Sequence, residues 1–389
     1  MESNNAMFSV VSYIVIVVLA LAFLYFGNRI ATRGFVSDGA TNEAANGAAS
    51  EATTGSQFFE ARVREIVNIQ ENSGPQGNSQ TITFEAEIIS RGERRGETAR
   101  FTQTIREYSV GRPQRAVEEG GRVVLASTAQ GSWSFIDHVR IYNILILGGA
   151  FVVFLTLFGR MKGFNSVLSL GFTCAAIFAV FIPAILSNRN IYMAAIVVCM
   201  YSIIFAIFII NGVNKKSVAA VTGCLGGIAA SGVLAFLMDL SLGLTGVTGS
   251  ESVHLRYLAE YPIDLNAIIF AGIIIGATGA IIDMSISIAS ALWELKETNP
   301  SFGGLYKSGI NIGKDIVGSN INTLVLAYIG GSLAIVLIFL SGDISFVRLL
   351  NREWVIVELL QIIVGSFGIF LTMPLTALVC AALFKKMDH

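Results

Sequence analysis

Three regimes of hydrophobic and polar spacing divide the chain. Phe8 to Phe26 is an uninterrupted apolar run of spanning length. It lacks the basic leader and the A-x-A site of a cleaved signal peptide, so residues 1–27 read as a transmembrane anchor. Residues 28–56 are rich in Ala, Gly, Ser, Thr and Asn with few large apolar side chains. Such a composition buries too little surface to order itself and reads as a flexible linker. From 57 to 137 the period becomes two: ITFEAEII and GRVVLAS alternate like half-buried strands, with turn chemistry in GPQGNS and RGERRGET. This predicts a small β domain, with a barrel related to OB folds as its expected topology. Arg91, Arg94, Arg95 and Arg100 read as a solvated hairpin.

From 138 to 389 the chain carries seven more apolar runs. They are Ile141–Phe158, Val167–Leu186, Tyr192–Ile210, Ala219–Met238, Leu265–Leu292, Ile321–Leu340 and Val357–Phe384. The expected fold is therefore a polytopic α-helical membrane protein of about eight transmembrane helices, with the β domain after the first. Basic residues in alternate loops fix the expected orientation: Arg160 and Lys162, Lys215 and Lys216, Lys296 with Lys307 and Lys314, then Lys385 and Lys386. By the positive-inside rule that side is cytoplasmic, which puts both termini in the cytoplasm of a cell-membrane protein and the β domain outside it. Arg29, Arg33 and Arg189 oppose the trend. Trp133, Trp293 and Trp354 fall at predicted helix ends, where an aromatic belt would place them.

An acid interrupts the middle of the Leu265–Leu292 run. Asp283 lies in AIIFAGIIIGATGAIIDMSISIASALWEL, with Ser287 and Ser290 at i+4 and i+7 on the same helical face. A carboxylate at membrane depth costs about 2.5–3.5 kcal/mol on insertion scales and is a functional candidate by default. Gly272, Gly276 and Ala280 form a small-xxx-small ridge that admits a neighbouring helix. After a polar hinge comes GKDIVGSNINTLVLAYIGG, whose Asn320 and Thr323, with Asn322 beside them, would face the acid across a shared polar seam. Asp283 fits either ion or proton handling or a structural polar contact, and both readings stand. Asp315 reads as the N-terminal cap of the next helix rather than a gate partner. Pro374, between Thr372 and Thr376, is a kink candidate. GCLGG at Gly223 to Gly227 reads as a close helix contact.

Composition agrees with the patterning. Of 389 residues 53% are hydrophobic and 14% charged, against about 25% charged in soluble domains. Net charge is −1, which gives no case for nucleic acid. Cys174, Cys199, Cys224 and Cys380 have neither disulfide nor metal spacing and read as small core residues, and the scattered His138, His254 and His389 form no metal site. GINIGKD lacks phosphate-loop spacing. With no nucleophile–base set of the recognised kinds, no enzyme activity and no cofactor is expected.

The segments GATGAIIDMSISIASALWEL and GKDIVGSNINTLVLAYIGG resemble the signature of YibE/F-like membrane proteins. Gly279, Asp283, Ser287, Ser290, Gly313, Asp315, Asn322, Thr323, Leu326, Ala327 and Tyr328 match that pattern. The resemblance implies an anchor, a small extracytoplasmic β domain and a seven-helix bundle, but no activity. A weaker similarity joins Gly279-x-x-x-Asp283 to the acid-bearing helix of SecD/SecF and other resistance-nodulation-division proteins. It implies a proton pathway through Asp283 with Thr323 as its partner, although no second acid stands on the partner helix. Two functions are expected from these features. One is an ion- or proton-coupled transporter or exporter in the lipid bilayer. The other is a non-transporting scaffold that recruits an extracytoplasmic protein through residues 57–137. The sequence leaves the oligomeric state open.

Overall fold

The computed structural model describes residues 2–32, 57–74, 77–90, 94–106, 115–127, 133–258, 261–298, 301–341 and 345–384. Most of the expected linker, Arg91, Lys385, Lys386 and His389 lie outside the described residues. The chain divides into two compact units, residues 1–37 with 155–389 and residues 38–154.

The smaller unit carries a five-stranded antiparallel sheet in the order β3-β2-β1-β4-β5, together with residues 141–154 of the helix that follows it. Its strands are β1 (Gln57–Gly74), β2 (Gly77–Ile88), β3 (Thr98–Arg106), β4 (Arg122–Ser127) and β5 (Trp133–His138). The period-two reading of the sequence is visible in β2, where Ile82, Phe84, Ala86 and Ile88 are buried and the residues between them are not. Long β1 serves two partners, pairing Ala61 with Ile88 on one side and with Val123 on the other. Bulges between Val63 and Glu65 and between Ile66 and Asn68 accompany its curl into a half-barrel. Phe84, Phe101, Val123 and Leu125 form the core, with Trp133 and Phe135 packed on it.

Two expectations change here. Trp133 sits in the sheet edge-on to Phe101, their ring centroids 5.6 Å apart, and not at a helix end in an aromatic belt. Arg94 is not merely solvated: its guanidinium lies over the Trp133 ring and donates to Ser127 Oγ at 3.2 Å.

Seven helical segments among the described residues are long and apolar enough to cross a membrane, and all of them but residues 141–154 lie in the larger, helical unit. Helix α1 (Glu2–Ala31) comes first. Helix α2 (Ile141–Ala176) continues through a π turn at Ile177–Phe181 into the short α3 (Ile182–Leu186). The 46 residues from Ile141 to Leu186 count as one segment, although the sequence offers two apolar runs there. Their junction is Arg160, whose φ of 50° and ψ of −135° break the helix. In a straight helix Leu155 and Gly163 would be about 12 Å apart along the axis. Here a Cβ on Gly163 would strike the Leu155 carbonyl and approach Thr156 Cα at 3.4 Å, so the chain turns back on itself.

The remaining elements are α4 (Ile191–Asn211), α5 (Lys215–Leu242), α6 (Ser250–Leu258), α7 (Leu265–Leu295), α8 (Phe302–Ser341), α9 (Phe346–Leu350) and α10 (Glu353–Phe384). Asn190, Asn214 and Asp264 cap α4, α5 and α7 with side-chain oxygens that accept from backbone N–H groups three residues on. Helices α5, α7 and α10 make the centre of the unit.

Water cannot drive helices together in a bilayer, so close approach through small residues does. Gly223 and Gly227 face Thr376 and Thr372 of α10, and Gly368 faces Ser231 of α5. GCLGG is thus a helix contact. The packed hydroxyls are satisfied. Buried Ser285 donates to Ala220 O at 2.8 Å, and its oxygen lies 2.8 Å from Thr376 Oγ1. Since Ser285 has one proton, Thr376 is the donor of the second bond.

Helix α8 overturns one reading. Asp315 stands thirteen residues inside it and cannot cap its N-terminus, because residues 302–312 of the supposed hinge, with the GINIGKD stretch they run into, are themselves helical. Gly309 and Gly313 of that stretch let α8 approach Ala377 and Met373 of α10 and Leu292 and Ile288 of α7. Helix α10 continues through Pro374, and Thr372 Oγ1 donates to Gly368 O at 2.7 Å. Of the cysteines, Cys174 is exposed and the other three are buried.

Candidate functional site

Helix α7 buries one face against α5 and α10 and leaves another open. Gly272, Gly276, Gly279, Asp283 and Ser287 follow one another on the open face at helical spacing, with Ser290 half-buried below them. The chain does not cover this stripe uniformly. Asp283, Gly279 and Gly276 border a cavity of about 450 Å³ bounded by α7, by α4 and by the part of α2 that follows the Arg160 turn.

The far walls carry the chemistry. Ser166, Ser169 and Thr173 fall at i, i+3 and i+7 on α2, and Cys199 and Ser202 at i and i+3 on α4. Thr278 of α7 completes the lining; its hydroxyl donates to Ile274 O at 2.8 Å and lies 3.6 Å from Cys199 Sγ. Ser166 Oγ donates to Lys162 O at 2.9 Å. The second part of α2 is held at one end by Asn165. Its Nδ2 donates to Ile209 O at 3.0 Å, and its Oδ1 accepts from the Tyr13 hydroxyl at 3.1 Å. Gly279 has no atom within 4 Å of where its Cβ would stand, so the space beside Asp283 is open.

Among the described residues Asp283 makes no ion pair. The cavity therefore combines one carboxylate with five hydroxyls and a thiol. Oxygen ligands of that kind suit a proton, a hydrated proton or a small hard cation. No group of three or more His, Cys, Asp or Glu residues able to hold a metal occurs among the described residues.

The sequence-derived partners of Asp283 sit elsewhere. Asn320 Nδ2 donates to Met284 Sδ at 3.7 Å, one residue round the helix from the acid. Thr323 is exposed and donates to Ser319 O at 3.0 Å, and Asn322 is exposed. No α8 residue is among the described residues lining the cavity. Helix α8 touches the stripe higher up, where Tyr328 Oη fills the space beside Gly276. Ser287 lies a turn beyond Asp283, outside the lining. The residues that sequence reasoning missed, Ser166, Ser169, Thr173, Cys199, Ser202 and Thr278, do carry a signal: hydroxyls and a thiol at helical spacing within otherwise apolar runs.

Fold and composition together define a multi-pass helical membrane protein with a small β unit. The family model described as YibE/F-like protein matches residues 147–386, and the chain belongs to that family. The match covers α7 and α8 with every residue of the cavity, and leaves out the β sheet. No curated protein matches the chain, and no solved structure matches it either. The weaker likeness to SecD/SecF therefore gains no support.

Proposed function

We propose that this protein is an ion- or proton-coupled transporter in which Asp283 carries the coupling ion. The observation that carries this reading is a carboxylate, without an ion pair among the described residues, in the wall of a hydroxyl-lined cavity between apolar helices. Ionised and empty, Asp283 is expensive in a low-dielectric surrounding; protonated or cation-bound, it is neutral. That difference couples occupancy to conformation. A single acid fits one proton or one monovalent cation per cycle, with Ser169, Ser202 and Thr278 completing its coordination.

The wall most free to move is the part of α2 after Arg160, which is jointed by a non-helical residue at one end and a π turn at the other. In this reading the Arg160 turn separates two crossings, giving eight in all, with both termini cytoplasmic and the β unit outside. The compactness of the β unit favours a second role, the recruitment of a partner protein.

Carbodiimide labelling tests the assignment without knowledge of the substrate. Dicyclohexylcarbodiimide modifies protonated carboxyl groups in apolar surroundings. Labelling at Asp283 in the reconstituted protein should fall as pH rises and, if the ion is sodium, as sodium is added. It should vanish in Asp283→Asn. Equal labelling across pH 5–9, or labelling indifferent to Asp283→Asn, removes the proposal.

A further inference from the structure

The half-barrel ends in two strands, β3 and β5, whose outer edges pair with no other strand among the described residues. Such edges present unpaired backbone N–H and C=O groups that template another strand. The curl of the sheet brings the two edges towards each other without joining them. A groove of about 660 Å³ remains between them. Trp133 and Ile136 of β5 line it, the latter 49% exposed. Arg100, Arg115 and Arg140 line it too, with Asp137 as the one acid among the described lining residues.

One end of the groove already holds backbone. Gln103 is buried, 3% exposed. Its Nε2 donates to Arg115 O at 2.9 Å, and its Oε1 accepts from Val117 N at 2.8 Å. An amide side chain thus imitates a strand partner for the segment 115–117, and His138 Nε2 meets the same Arg115 O at 2.9 Å. Among the described residues the ion pairs of these arginines are with exposed or part-exposed carboxylates: Arg100 with Glu85 at 2.8 Å, Arg115 with Glu118 at 3.0 Å and Arg140 with Asp137 at 2.8 Å. Exposed pairs of this kind contribute little and exchange readily for another carboxylate.

We propose that the groove binds an extended, acid-bearing segment of a protein partner, which adds as a strand to the edge of β5 while its carboxylates meet Arg100 and Arg140. Strand addition supplies affinity through main-chain bonds, and side-chain pockets supply selectivity. Trp133 and Ile136 receive the apolar residues that alternate with the acids.

The test uses the full chain in phosphatidylcholine nanodiscs and a fluorescein-labelled heptapeptide of alternating glutamate and valine, followed by anisotropy. The acidic peptide should bind, and binding should weaken with added salt. Two other peptides should bind at least about tenfold more weakly: the lysine–valine counterpart, and the acidic peptide N-methylated at alternate backbone nitrogens. Arg100→Glu combined with Arg140→Glu should cost about tenfold or more. Asp283→Asn should bind like wild type, which separates this inference from the transport proposal. No binding by wild type, or equal binding of the lysine peptide, overturns it. Equal binding of the N-methylated peptide overturns it too, because the groove would then be a site for polyanions of any backbone. The peptide comparisons need no variant, so a misfolded double mutant leaves them intact.

Discussion

Gly223→Ala perturbs the closest-packed part of α5 and α10. A Cβ at Gly223 would overlap Thr376 Oγ1 and stand 2.8 Å from Thr376 Cβ and 2.9 Å from Thr376 Cα. Carbon atoms rest at about 3.5–4.0 Å, so α5 and α10 must part by roughly 0.7 Å or more. Because one colliding atom is backbone, no rotamer change of Thr376 relieves it. Overpacking of this sort costs about 1–3 kcal/mol. Parting the helices also strains the Thr376–Ser285 hydrogen bond, and side-chain bonds between membrane helices contribute about 0.6 kcal/mol on average, up to about 1.7. Against this stands a helix-propensity gain of about 1 kcal/mol for replacing glycine. The net expectation is a loss of about 1–3 kcal/mol. Denaturation by sodium dodecyl sulfate in mixed micelles, followed by circular dichroism, reads it directly. Thr376→Ala added to Gly223→Ala should recover only part of the loss, since the new methyl group still meets the backbone of residue 376. If Gly223→Ala is as stable as wild type, or if Thr376→Ala restores it fully, the backbones do not meet there and the packing argument fails.

Two further outcomes follow from local geometry. Glu353 binds the turn before α6: Oε1 accepts from Thr245 N at 2.8 Å and Gly246 N at 2.6 Å, and Oε2 from Thr245 Oγ1 at 2.7 Å. Glu353→Ala should free that turn, at a cost of about 1–3 kcal/mol for charge-assisted bonds that are partly exposed; proteolysis within residues 243–249 should quicken, and unchanged cleavage would contradict the clasp. Gly276→Ala would push its methyl group onto Tyr328 Oη and should lower the unfolding midpoint, with Tyr328→Phe returning most of it; a double mutant no better than the single would show that the hydroxyl is not the obstacle.

Much of the architecture was legible because a bilayer imposes simple arithmetic. Length and apolarity mark a span, alternation marks a strand, and both were read correctly at α4, α5, α7, α10 and β2. Asp283 stood out for the same reason, being the one charge within the apolar part of α7. Helix α8 was misread at its start because Lys307, Lys314 and Asp315 look like a loop by charge. Gly309 and Gly313, which resemble hinge residues in isolation, are small because α7 and α10 press on them. Trp133 was misplaced because an aromatic residue before an apolar run carries the same signature in a sheet as at a membrane interface.

From sequence alone one reads which segments are apolar enough to span, which alternate, and that Asp283 interrupts the apolar part of α7. Those properties belong to single residues and their nearest repeats. Which face of each helix meets which neighbour was decided only in three dimensions. Asp283 and Met284 differ by one position, yet the first borders the cavity with Ser169 and Ser202 while the second receives Asn320. The reason is rotational: consecutive residues on a helix point about 100° apart, and packing at Gly223, Gly227 and Gly368 sets how α5, α7 and α10 seat together.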